Sequence, residues 1–132
     1  GQGETRRILQ ADRPIPAVEG KLYRVTAFCG CPECCPGSAD GITADGHRVR
    51  PGDKFVAAPA SIPFGTLVTI PGYGTVPVRD RGILIDDTVD EKTIKVNGKY
   101  VTRKTADFDV FFFNHQDAKN WGVKYLQISQ EN

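Results

Sequence analysis

The chain has 132 residues, 39% hydrophobic and 25% charged, the proportions of one soluble domain that buries about two thirds of its unfolded surface. Its 17 Lys and Arg balance 16 Asp and Glu to a net charge of +1, which gives no reason to expect a nucleic-acid or anionic-membrane partner. No apolar run approaches the ~20 residues that span a bilayer. Fourteen Gly and nine Pro scattered among short apolar runs point to a turn-rich β architecture. There is neither a signal peptide nor any Met, so the sequence reads as a mature or truncated chain.

In chain order, residues 1–20 show no sustained periodicity and read as an N-terminal arm or linker, leaving 21–132 as the domain. Lys21–Phe28 alternates as a first strand, with Tyr23, Val25 and Ala27 on one face and Leu22, Arg24, Thr26 and Phe28 on the other. Short runs follow at Phe55–Ala58, Ile62–Thr66, Leu67–Ile70 and Val76–Val78, bounded by turn residues, and Ile83–Val89 carries acidic residues at 86 and 87. Asn97-Gly98 tolerates the positive φ angles of a type I′ turn and predicts a hairpin over Thr93–Thr102. Asp107–His115 holds an aromatic, β-branched run that reads as a buried strand. One helix is expected after it, capped by Asn114, with Asp117 three residues on and Gly122 at its end. Val123–Ser129 reads as a last strand.

Four cysteines, Cys29, Cys31, Cys34 and Cys35, crowd into seven residues. That spacing differs from the two separated pairs of a zinc ribbon, and no local base accompanies a thiol nucleophile. Two disulfides within the loop, in an oxidising compartment, are the expected state, with a metal as the alternative and the pairing order open. No metal site or cofactor is expected.

Asp109 projects from the aromatic strand on the same face as Phe111, where partial desolvation raises a carboxyl pKa towards that of a general acid. A solvated strand carboxylate is the plain alternative. Asp80 lies between Arg79 and Arg81, and adjacent cations favour its ionised form. Two carboxyls driven apart in pKa are a signature of glycoside chemistry, set against an ordinary surface Arg-Asp-Arg turn. His115, in the first turn of the helix, is placed to reach a cleft; His47 is the other histidine.

Seven pieces in order carry a family resemblance: Val25-Thr-Ala-Phe-Cys-Gly-Cys-Pro-Glu-Cys-Cys, Thr43-Ala-Asp-Gly, Ala57-Ala-Pro-Ala-Ser-Ile-Pro-Phe-Gly-Thr, Ile70-Pro-Gly-Tyr-Gly, Val78-Arg-Asp-Arg-Gly, Asp107-Phe-Asp-Val-Phe-Phe and Asn114-His-Gln-Asp-Ala-Lys-Asn-Trp-Gly. Together they resemble the three-aspartate domain of peptidoglycan lytic transglycosylases, related to the membrane-bound lytic transglycosylase A family and to resuscitation and stationary-phase survival proteins. The resemblance implies an all-β, six-stranded double-psi β-barrel, shared with expansins, with one or two short helices. An inserted β-hairpin is expected within residues 83–105, where this chain is longer than the family pattern.

The resemblance further implies a secreted or envelope-located monomer that cleaves the β-1,4 bond of peptidoglycan glycan strands. Asp109 falls on the family's acid and Asp80 on a second aspartate. Thr26, Thr43, Tyr73 and His115 form the expected substrate-binding set. The aspartate usual before Pro59 is Ala58 here. A non-catalytic, expansin-like glycan-binding module and a hydrolytic glycosidase are the alternatives.

Overall fold

The computed structural model describes residues 20–30 and 41–131. Cys31, Cys34 and Cys35 lie outside the described residues, as does the expected arm apart from Gly20. The elements run β1 (Tyr23–Phe28), β2 (Val56–Ala57), β3 (Leu67–Ile70), β4 (Gly74–Asp80), β5 (Glu91–Val96), β6 (Lys99–Lys104), β7 (Phe108–Phe111), α1 (His115–Trp121), β8 (Lys124–Leu126) and β9 (Ser129–Glu131). Seven strands form one mixed sheet in the order β8-β1-β7-β2-β4-β3-β9, and β5 and β6 form a separate ribbon. The sheet curls strongly into a half-barrel.

That curl follows from connectivity. β8 and β9 stand at opposite ends of the strand order, yet only Gln127 and Ile128 separate Leu126 from Ser129. Three residue steps reach at most ~11 Å, whereas seven flat strands would set the edges roughly 29 Å apart. The expected last strand is thus two short ones, each finishing a different edge. The main sheet correspondingly has seven strands rather than six.

The alternation of β1 holds: Val25 is fully buried in the main core, with Tyr23 and Ala27 packed against it. β7 lies parallel to β1, and Phe108 and Val110 join the same core with Val56, Val68, Ile70 and Val78. The opposite face of β7 carries Phe111, stacked on Phe55 with ring centroids 4.6 Å apart and edge-on to Phe28 at 5.5 Å. The helix is capped as expected: the Asn114 side chain accepts from the N–H groups of Gln116 and Asp117, and Gly122 ends it at φ 67°. Its Trp121 donates from Nε1 to the Val25 carbonyl at 3.3 Å, tying α1 to the sheet.

One of the expected short runs forms no strand. Residues 62–66 form turns, with the Ile62 and Thr66 N–H groups bonded to the carbonyls of Pro59 and Pro63. Residues 83–89 form turns and bends, and Ile85 makes an isolated bridge to Ala106. The hairpin is longer than its core signal, pairing Glu91 with Lys104 through to Val96 with Lys99. Asn97 and Gly98 take φ values of 50° and 80°, both positive, as a type I′ turn requires.

Candidate functional site

Four residues line up across the middle of the sheet. Thr26 on β1 stands opposite Asp109 on β7, Asp109 opposite Ala57 on β2, and Ala57 opposite Asp80 on β4. The last alignment depends on an irregularity. Val56 pairs with Val78, so a strict parallel ladder would set Ala57 against Arg79; a one-residue slip sets it against Asp80 instead. Slips of this kind re-aim side chains and are common beside functional sites. Two strand spacings separate the two aspartates, roughly 10 Å between backbones. The small Ala57 is the only residue of the row between them.

Asp109 keeps partial exposure as a residue, but its carboxyl is packed closely enough for desolvation to dominate. Burial pushes its pKa from 3.8 up to about 7; the hydrogen bond from Thr26 opposes the rise and the charge of Asp80 adds to it. The Thr26 hydroxyl donates to Oδ1 of Asp109 at 2.9 Å. That bond leaves the other carboxyl oxygen, Oδ2, as the natural seat of the proton when Asp109 is neutral.

Asp80 is held by backbone N–H groups. Its Oδ1 accepts from the backbone N–H of Ala44 at 3.0 Å and of Arg81 at 2.9 Å. The Arg79 guanidinium pairs with Asp45 at 3.1 Å. Arg81 donates to the carbonyls of Ala58 and Ile62 at 3.2 and 2.8 Å and lies over the Phe64 ring.

Thr43 serves the loop that presents Ala44. Its hydroxyl donates to Asp45 Oδ1, and it accepts from the His47 N–H at 3.0 Å. Burial works against the Asp45 carboxylate, but the Thr43 and His47 bonds and the Arg79 charge together hold its pKa below the usual value. Thr43 therefore positions the loop behind Asp80, two hydrogen bonds away from the row. Sequence reasoning missed the roles of Ala44 and Ala57: both lie in the quoted motif pieces, but a backbone N–H contact and a place between two aspartates leave no mark on an alanine side chain.

Tyr73 is in the core rather than beside the row. Its hydroxyl donates to the backbone carbonyls of Phe111 and, at 3.3 Å, Phe55. Burial pushes its pKa up to about 12. Its ring packs edge-on against Phe112 and Trp121, so its chemistry is spent on holding β7. His115 turns Nδ1 towards the buried Cys29 Sγ at 3.3 Å. The two residues are 86 apart in sequence. The expected disulfides involve Cys31, Cys34 and Cys35, outside the described residues.

Ala58, the departure from the three-aspartate pattern, is fully buried in the main core. Its neighbour Ala57 belongs to a second cluster with Ile85 and Ala106. The missing carboxylate thus concerns the opposite side of β2 from the Thr26–Asp109–Ala57–Asp80 row. Two residues before Asp109, Asp107 accepts the Arg24 N–H at 2.9 Å and lines two clefts where the sheet meets residues 86–90 and Ser61.

No family model matches the chain, and no solved structure matches it. The sequence is 32% identical over 95 residues to the cell wall-binding protein YocH of Bacillus subtilis (strain 168), a match that covers 70% of this chain and 27% of that protein. The chain spans about a quarter of the length of this curated relative, a distant similarity.

Proposed function

We propose that this chain is a peptidoglycan lytic transglycosylase of the three-aspartate type, working at the cell envelope as a monomer, with the curled sheet as the framework of a double-psi β-barrel. The observation that carries the reading is the carboxyl of Asp109, raised to about 7 by burial on a shared row with Asp80. A carboxyl with that pKa is half protonated at neutral pH and serves equally as acid and base. The similarity to a cell wall-binding protein supports the envelope and the glycan partner.

In the reaction, Asp109 donates its proton to the glycosidic oxygen as the bond from C1 of MurNAc to that oxygen breaks. The resulting carboxylate takes the proton from the C6 hydroxyl of the same sugar, whose oxygen forms the new bond to C1. The product is a 1,6-anhydro end, water is not consumed, and Asp109 returns to its starting state. An intramolecular nucleophile needs no second base, because its effective concentration is already high. Asp80 stabilises the positive charge that develops on the sugar ring, and Thr26 fixes the acid's orientation through Oδ1.

Incubation with purified sacculi and mass spectrometry of the soluble products tests this. Fragments with anhydro-MurNAc ends are expected; reducing ends would instead mark hydrolysis. Retention on sacculi without release of fragments would favour a wall-binding module of the expansin kind, the second reading, for which the name of the relative speaks directly.

A further inference from the structure

The net charge of +1 conceals a segregation. The β5–β6 ribbon, residues 91–104, holds Lys92, Lys95, Lys99, Arg103 and Lys104 against Glu91, a net +4, which leaves −3 for the other 118 residues. Among the described residues, an ion pair claims only Lys92, bonded to Asp86 at 2.8 Å. The ribbon pairs with no other strand.

Its two faces differ. Lys92, Ile94 and Val101 are half-buried on the side turned to the protein. The outer side is exposed throughout and pairs Glu91 with Lys104, Thr93 with Thr102, and Lys95 with Tyr100. Tyr100 is 74% exposed, and the Lys95 ammonium stands 5.6 Å from its ring centroid. The Thr93 and Thr102 hydroxyls lie 2.9 Å apart beside them. Burial does not account for a tyrosine at this position, and a flat ring flanked by hydroxyls and an ammonium is the set that stacks on and hydrogen-bonds a sugar. On this outer side Lys95 and Lys104 stand four ladder positions apart, roughly 13 Å along the ribbon, a spacing suited to a chain that carries charge along its length; Lys99 and Arg103 are exposed on the other side.

We propose that the outer face of this ribbon binds a phosphodiester-linked, sugar-bearing polymer of the cell wall. The cationic ribbon selects an anion, Lys95 and Lys104 meet phosphate oxygens, Tyr100 takes the sugar between them, and Lys99 and Arg103 strengthen the field from the other side. The proposal rests on the wall location proposed above but not on cleavage, since the ribbon lies apart from the Asp109 row.

The test is co-sedimentation of the whole chain with walls that keep their phosphodiester polymers and with the same walls stripped by hydrofluoric acid, anhydro ends being counted in both. Binding to intact walls should weaken at least tenfold between ~50 and ~300 mM salt, and stripping should remove the salt-sensitive part. A cation beside an anionic surface contributes about fivefold, so the two outer lysines account for about 25-fold, and Lys95→Gln, Lys99→Gln, Arg103→Gln and Lys104→Gln together should weaken binding by up to about 600-fold. The charge-keeping variant Lys95→Arg, Lys99→Arg, Lys104→Arg should bind like the wild type, and guards against a neutral variant that fails to fold. Binding unchanged by stripping, or by the four substitutions in a folded chain, overturns the proposal. So does tighter binding to duplex DNA or to anionic phosphatidylglycerol vesicles. Absent anhydro ends with phosphate-dependent binding intact would instead sink only the cleavage reading.

Discussion

The curled sheet and the β5–β6 ribbon are built from strands of similar length but answer to different physics. In the sheet every interior strand owes its place to partners far away in sequence: β1 is parallel to β7, and β2 lies between β7 and β4. The ribbon pairs only with itself across two turn residues, and most of its side chains face water. Burial is what shifts Asp109, and it is available only in the first region. Exposed charge is plentiful only in the second. The contrast teaches that one small domain can separate chemistry, which needs dehydration, from capture, which needs solvent-facing charge.

The sharpest way to break that division is at Asp109. Asp109→Asn keeps the shape and cannot donate the proton, so sacculus cleavage should fall ~10²–10⁴-fold while wall binding persists. An active variant would remove the sheet's claim to the chemistry. The same substitution carries a stability signature. Asp109 titrates near 7 when folded and near 4 when unfolded, so between these values the folded state holds the extra proton and stability falls as pH rises. Asp109→Asn should therefore melt above the wild type at pH 8, by on the order of 2–4 kcal/mol at most, with the difference closing towards pH 4.

Asp80 and Thr26 sharpen the contrast through opposite signs. The Asp80 charge raises the Asp109 pKa and the Thr26 bond lowers it. In Asp80→Asn the alkaline limb of the cleavage profile should move to lower pH, with a loss of rate of roughly tenfold or more if its charge supports the sugar cation. In Thr26→Val the limb should move to higher pH with a smaller loss. Limbs that move together, or not at all, would show that the row does not act as a unit.

The smallest effect is expected from the ribbon. Replacing residues 92–103 with a short Gly-containing turn removes no residue of the main core and should leave a cooperative thermal transition and cleavage of soluble glycan fragments within about twofold. Loss of the folded state would show the ribbon to be a structural part of the sheet after all.

How far these two regions were legible in the sequence follows the same line. The ribbon is readable because Asn97-Gly98 is a local turn signal and its pairing partners are near neighbours. The inward face of β1 and the aromatic strand of β7 are readable because alternation alone decides which side chains are buried. The placement of Asp80 beside Ala57 is not, since it depends on a one-residue slip between two parallel strands. Nor is the role of Tyr73: a Pro-Gly-Tyr-Gly turn looks solvent-facing, and only packing against Phe112 and Trp121 shows that the ring turns inward. His115 and Cys29 meet across 86 residues, a distance that no local motif spans. The charged ribbon was visible in composition all along, but a whole-chain sum averages it away.

The short link between Leu126 and Ser129 has a kinetic consequence. Because it ties both edges of the sheet, no intermediate lacking residues 124–131 can have its rim closed, and β1 finds β7 only after some 80 residues have been looped out. A topology so rich in non-local pairings belongs with the slow, millisecond-to-second folders. The ribbon, by contrast, has the local pairing of hairpins that form in microseconds. Early in folding the chain is therefore an open coil bearing local hairpins, β3–β4 and the cationic ribbon, and the dehydrated acid comes into existence only at the end.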